Sequence, residues 1–121
     1  SRANERITET ATALRNSLIA LADQTFPGVN IAFDPNTKNA NGHEKWVDFF
    51  LRYWHKDCVC QYSMEAFTES YRGWCKRKNY KFRTDTAHKI YLLAQEGVAT
   101  LPKCESTKML ITQACKRKIN I

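Results

Sequence analysis

Residues 63–97 read SMEAFTESYRGWCKRKNYKFRTDTAHKIYLLAQEG, two helical periods separated by a short polar turn. Phe67, Tyr71, Trp74 and Cys75 recur at i, i+4, i+7 and i+8, one face of a helix, and Ser63 stands where an N-cap hydroxyl accepts from free backbone N–H groups. The spacing predicts a helix over 64–78. After Asn79-Tyr80-Lys81-Phe82-Arg83, Thr84 or Asp85 is expected to cap a further helix with Ala87, Ile90, Tyr91 and Ala94 facing inward, closed by Gly97 as a left-handed C-terminal residue. Two helices joined by so short a turn are a helix-turn-helix.

Downstream, the extended segments 98–103 and 108–112 flank Cys104-Glu105-Ser106-Thr107, a pattern that predicts a β-hairpin with a four-residue loop. Upstream, Trp46, Phe49, Phe50, Tyr53 and Trp54 form an aromatic stripe that predicts a helix over about 43–56 with that stripe in the core. The segment 57–62 is short enough to read as a strand. Residues 34–42 are turn formers without apolar periodicity and read as a loop or linker. Before them, Ile7, Ala11, Leu14, Leu18 and Leu21 predict an amphipathic helix over about 5–24, with Glu5 and Glu9 near its positive end, stopped by Phe26-Pro27-Gly28. It is expected to pack as an N-terminal extension. The expected class is therefore α+β and mostly helical, a winged helix-turn-helix with an extra N-terminal helix. Its parts would be a helix and linker over 1–42, the winged helix over 43–115 and a basic tail over 116–121. There is no internal repeat and no low-complexity tract.

The chain's 121 residues suit one domain. It carries 19 Lys+Arg against 12 Asp+Glu, for a formal charge of +7, and the charge is uneven. Residues 1–70 hold 7 basic and 9 acidic side chains, a net of −2, whereas residues 71–121 hold 12 and 3, a net of +9. Such asymmetry is expected when one face meets a polyanion. No apolar run approaches the roughly 18 residues that a membrane span needs. Neither an initiator Met nor a charged-then-apolar leader stands at Ser1-Arg2-Ala3-Asn4, so a fragment or processed chain is expected.

In a winged helix the recognition helix enters a groove of DNA, while the preceding turn and the wing meet phosphates. Lys76, Arg77, Lys78, Lys81 and Arg83 precede that helix, Lys89 lies on it, and Lys103 and Lys108 bracket the expected wing tip. Thr86, Lys89 and Gln95 are expected near base edges. Tyr80 and Phe82 lie between basic residues and are candidates to stack unpaired bases. His88 reads as a surface or structural residue and Leu92 as an edge residue. With one clear cation on the recognition helix, phosphate and shape contacts should outweigh sequence reading. Lys76-Arg77-Lys78 and Lys116-Arg117-Lys118 also suit solvated charge or a nuclear signal.

A family pattern is also visible. Trp46-Val47-Asp48-Phe49-Phe50-Leu51, Phe67-Thr68-Glu69-Ser70-Tyr71-Arg72-Gly73-Trp74-Cys75 and the ending Ala94-Gln95-Glu96-Gly97 resemble the winged-helix module near the C-terminus of primase-helicases of phages, large DNA viruses and plasmids. The resemblance spans about residues 46–113. It implies DNA binding beside a replication motor, as an accessory domain, since neither a P-loop nor a primase carboxylate cluster is present.

The five thiols are odd in number and lack CxxC spacing, which argues for a reducing intracellular compartment, cytoplasm or nucleus. His55, Cys58 and Cys60 cluster three zinc-ligand types, with Cys75, His88 or Cys104 as a conceivable fourth, but a Cys-x-Cys strand needs no metal and neither metal nor cofactor is expected. Cys58 or Cys75 with His55 or His88, and Asp57 with Glu65 and Glu69, lack the spacing of catalytic sets, so no enzymatic activity is expected. The leading expectation is a non-catalytic DNA-binding domain of a replication, viral or mobile-element protein, with RNA not separable and no membrane partner. The alternative is a protein–protein docking module of a larger replication or transcription assembly.

Overall fold

The computed structural model describes the backbone of residues 2–33 and 44–119 and side chains from residue 12 onward. Among the described residues, six helices run in the order α1 (Arg2–Thr25), α2 (Lys45–Arg52), α3 (Lys56–Cys60), α4 (Met64–Lys78), α5 (Thr84–Glu96) and α6 (Glu105–Ile119), with a 3-10 turn at Val29–Ile31. Among the described residues there is no strand. The chain is mostly helical, as expected, but among the described residues the β part of the expected α+β class is absent.

The aromatic stripe becomes the centre of the molecule. Phe49 is fully buried and lies with its ring centroid 4.6–6.5 Å from those of Phe26, Phe33, Tyr53, Phe67, Tyr71 and Trp74. Most of these pairs meet edge to face, which suits the ring quadrupole. α2 is shorter than its stripe: Tyr53 leaves helical geometry at φ −115° and ψ 72°, yet Tyr53 and Trp54 stay buried.

α4 has the bounds its spacing predicts. The Ser63 hydroxyl accepts from the Ala66 backbone N–H at 3.1 Å, a cap that stabilises a helix by about 1 kcal/mol. Its C-terminal turn ends on Asn79 at φ 61°, a left-handed residue that Asn tolerates better than branched side chains do. α5 buries Ala87, Ile90, Tyr91 and Ala94 as its spacing requires. Its start differs, since Arg83 occupies the capping position in extended geometry without a side-chain cap. Gly97 is not left-handed but extended, at φ −70° and ψ 151°. Glycine suits this position for space: a Cβ there would lie 3.0 Å from the Leu93 carbonyl oxygen and 3.3 Å from the Pro27 ring.

Two expected β elements are helical instead. The segment expected as a strand over 57–62 is mostly the short helix α3, started by His55, whose ring Nδ1 accepts from the Asp57 backbone N–H at 3.0 Å. The expected wing is a loop followed by α6. Backbone N–H groups of Thr100 and Leu101 both donate to the Gln24 carbonyl, so this extended stretch docks on the end of α1 where a hairpin would pair it with 108–112. Thr107, Ile111 and Cys115 then recur at i, i+4 and i+8, and all three are buried.

α1 shares this core. Leu18 and Ala22 are fully buried in the same cluster as the aromatic residues, and α1 packs along α6. The half-buried Glu44 at the entry to α2 accepts from Arg15 Nε of α1 at 3.4 Å and lies 3.9 Å from Lys118 Nζ of α6. Lys116, Arg117 and Lys118, expected in a tail, form the last turn of α6. The linker expected over 34–42 lies outside the described residues.

Candidate nucleic-acid interface

Between α4 and α5 the chain must turn within five residues, and its geometry separates backbone from charge. Tyr80 N–H donates to the Cys75 carbonyl, continuing the end of α4. The Tyr80 ring turns inward, stacks on Trp74 at 5.3 Å and 17°, and its hydroxyl donates to Asp48 Oδ2 on α2. Tyr80 is 7% exposed, so the stacking role expected of it is corrected: its ring belongs to the core. Burial and the bond to Asp48 hold its phenol well above the ordinary range.

The next residue is held by its backbone. Lys45 Nζ donates to the Lys81 carbonyl at 3.1 Å. Lys45 itself is 6% exposed and lies 5.2–5.5 Å from the ring centroids of Phe33, Tyr71 and Tyr80. Three ring faces supply a cation with quadrupole attraction in place of lost hydration. Even so, burial pulls the Lys45 amine below its ordinary 10.5. α2 thus grips the turn twice, with Lys45 at the Lys81 backbone and Asp48 at the Tyr80 side chain.

The cationic side chains are exposed instead. Lys76, Arg77, Lys78, Lys81 and Arg83 are all exposed, and none is held in an ion pair among the described residues. Arg72, exposed on α4, adds a guanidinium lying 4.6 Å over the half-buried Phe82 ring and 3.4 Å from Glu69. On α5, Lys89, His88, Leu92 and Gln95 are exposed and Thr86 is half-buried.

Lys103 is separated from this group. Lys103 lines an open groove of about 520 Å³ with His55, Lys56, Gly97 and Leu101, at the C-terminal end of α5. Its Nζ lies 3.5 Å from Gln61 Oε1. The turn is at the other end of that 13-residue helix, roughly 20 Å away at 1.5 Å per residue. Lys108 is exposed on α6. With no hairpin to carry them, the two lysines do not bracket a wing tip.

Sequence reasoning missed Lys45, Asp48 and Arg72. A signal for Lys45 existed: it precedes Phe49 by four residues and so shares the face of the most buried ring. A lysine on such a face is assigned to solvent by default, and only the ring arrangement shows why it is inside.

His55 is engaged at both ring nitrogens, Nε2 with the Leu101 carbonyl at 2.9 Å and Nδ1 with Asp57 N–H. Among the described residues, no group of three His, Cys, Asp or Glu side chains is placed to hold a metal ion. Burial raises the thiols of Cys58 and Cys75, the wrong direction for a nucleophile, and pushes Cys115 up to about 12. Cys104, at the start of α6, differs. Hydrogen bonds with the Ser106 and Thr107 hydroxyls at 3.2 and 3.4 Å lower its thiol to about 7.

Among the described residues no helix is long and apolar enough to cross a membrane. No protein-family model, curated protein or solved structure matches the chain.

Proposed function

We propose that this chain is a non-catalytic DNA-binding domain that presents the turn between α4 and α5 to the phosphate backbone, with α5 as the helix nearest the bases. The observation that supports this reading is the array over 76–83: five exposed cations, none in an ion pair among the described residues, on the end of α4 and on a turn that Lys45 holds at the Lys81 carbonyl and Asp48 at the Tyr80 hydroxyl. Cations carried on a braced backbone lose less backbone freedom on meeting phosphates than those of a mobile tail do. Arg72 and Lys89 extend the array, and Thr86 and Gln95 remain the residues proposed to meet base edges. Lys103 and Lys108 are proposed as peripheral contacts only.

The setting proposed is a replication protein of viral or mobile-element type, on the resemblance over residues 46–113, in the reducing interior of a cell, for which five free thiols are suited. A docking role has its own support in Val98, Met109 and Leu110, exposed at 77%, 61% and 49%. These lie away from the cationic turn along the chain, so both roles are compatible.

The test is fluorescence anisotropy with matched DNA and RNA duplexes at about 50 and 150 mM salt. DNA binding that weakens by an order of magnitude or more between the two concentrations is expected for several phosphate contacts. Absence of salt-sensitive binding at micromolar protein rejects the proposal, and tighter RNA binding reassigns the ligand.

A further inference from the structure

The disposition of the aromatic residues bears on which form of nucleic acid the turn would accept. Proteins that hold single strands combine a cationic groove with exposed rings on which successive bases stack. This chain has 14 aromatic residues, 3 Trp, 5 Tyr and 6 Phe, and every one lies among the described residues. Twelve are buried. The other two, Tyr62 and Phe82, are half-buried, and the face of Phe82 is covered by the Arg72 guanidinium. Tyr80, the ring closest to the cations in sequence, is locked between Trp74 and Asp48. No free ring face is offered beside the charge.

We infer that the partner is double-helical and is held through its phosphates, with single strands bound only weakly. This rests on the proposed nucleic-acid reading and adds the form of ligand to it. Two physical terms favour the duplex. A duplex carries one phosphate per about 1.7 Å of axis, twice the density of one of its strands, so a fixed set of cations meets more charge. It is also stiff over many base pairs, whereas a single strand must be ordered along the turn, here without stacking to offset that cost. Exposed Lys89 and Gln95 on α5 suit a groove flanked by the backbones that the turn contacts.

The experiment titrates the full chain with a labelled 20-base-pair DNA duplex and, separately, with each of its strands, at two salt concentrations, while recording intrinsic tryptophan fluorescence. The duplex is expected to bind at least about ten-fold more tightly than either strand. Saturating single strand is expected to leave the tryptophan emission unchanged, because Trp46, Trp54 and Trp74 are all buried. A strand that binds as tightly as the duplex, or that quenches the tryptophans on saturation, overturns the inference while leaving nucleic-acid binding intact. Salt-insensitive or undetectable binding to both forms overturns it together with the reading beneath it. A Phe82→Leu variant separates the remaining ring from the charge. It should change duplex affinity by less than about two-fold, and a larger loss on single strand than on duplex would mark Phe82 as a stacking platform and reject the duplex assignment.

Discussion

Lys45 shows how one residue's burial governs the display of others. Its amine reaches the Lys81 carbonyl from inside a cage of Phe33, Tyr71 and Tyr80, so a buried lysine braces the backbone between the cations Lys81 and Arg83 and the end of α4. Lys45→Met removes the bond and leaves the Lys81 carbonyl without it, a loss of about 1 kcal/mol or a roughly five-fold fall in DNA affinity if the turn loosens. Amide exchange at residues 81–83 should accelerate in the variant, and unchanged exchange with unchanged affinity would refute the role. The pH dependence has a definite sign. Because burial lowers the Lys45 pKa, the unfolded chain holds more protons between that lowered value and 10.5. Across this window stability attributable to Lys45 rises with pH, and below it the full cost of the buried charge is present. Tyr71, Tyr80 and Cys75, which face the amine and whose own pKa values are raised, act oppositely. The difference between parent and Lys45→Met in urea midpoint, followed from pH 8 to 10.5, therefore isolates the lysine: the parent should gain relative to the variant as pH rises.

Among the elements, α4 and α5 were legible because their apolar residues fall at helical spacing and a serine cap marks the start of α4. α6 was not, although Thr107, Ile111 and Cys115 carry the same period. The run Lys108-Met109-Leu110-Ile111-Thr112 also suits a strand, and the preceding Val98–Lys103 segment suggested its partner. What decides between them is tertiary: Gln24, at the end of α1, takes the N–H groups of Thr100 and Leu101, and α1 offers α6 a surface to bury against. α3 escaped for a similar reason, since its cap is a histidine ring and not one of the usual oxygen side chains. The helical α6 makes a prediction that a hairpin would not. Ile111→Ala should cost about 2–5 kcal/mol, whereas Met109→Ala and Leu110→Ala, at exposed positions, should each stay within roughly 1 kcal/mol by denaturant unfolding. Comparable losses at positions 109 and 111, the alternation of a half-buried strand, would contradict the helix.

At the scale of the whole molecule, the charge imbalance of residues 71–121 is distributed over three places with different prospects. The end of α4 and the turn after it carry five exposed cations over 76–83, Lys103 lies at the far end of α5 and Lys108 on α6, and the basic end of α6 is partly engaged, with Lys118 beside Glu44. The first group is plain in the sequence because its residues are nearly contiguous. The association expected of the second depends on a wing that α6 replaces, and in the third a run of like charge hides a helix end. The direct test of the account is the slope of log affinity against log salt for duplex DNA, in the parent, in Lys76→Ala/Arg77→Ala/Lys81→Ala/Arg83→Ala, and in Lys116→Ala/Arg117→Ala. Each phosphate contact contributes about 0.9 to that slope, so removing four turn cations should flatten it by about 3–4, while the α6 pair should change it by less than about 1. Equal effects of the two sets, or a parent slope near zero, would contradict it.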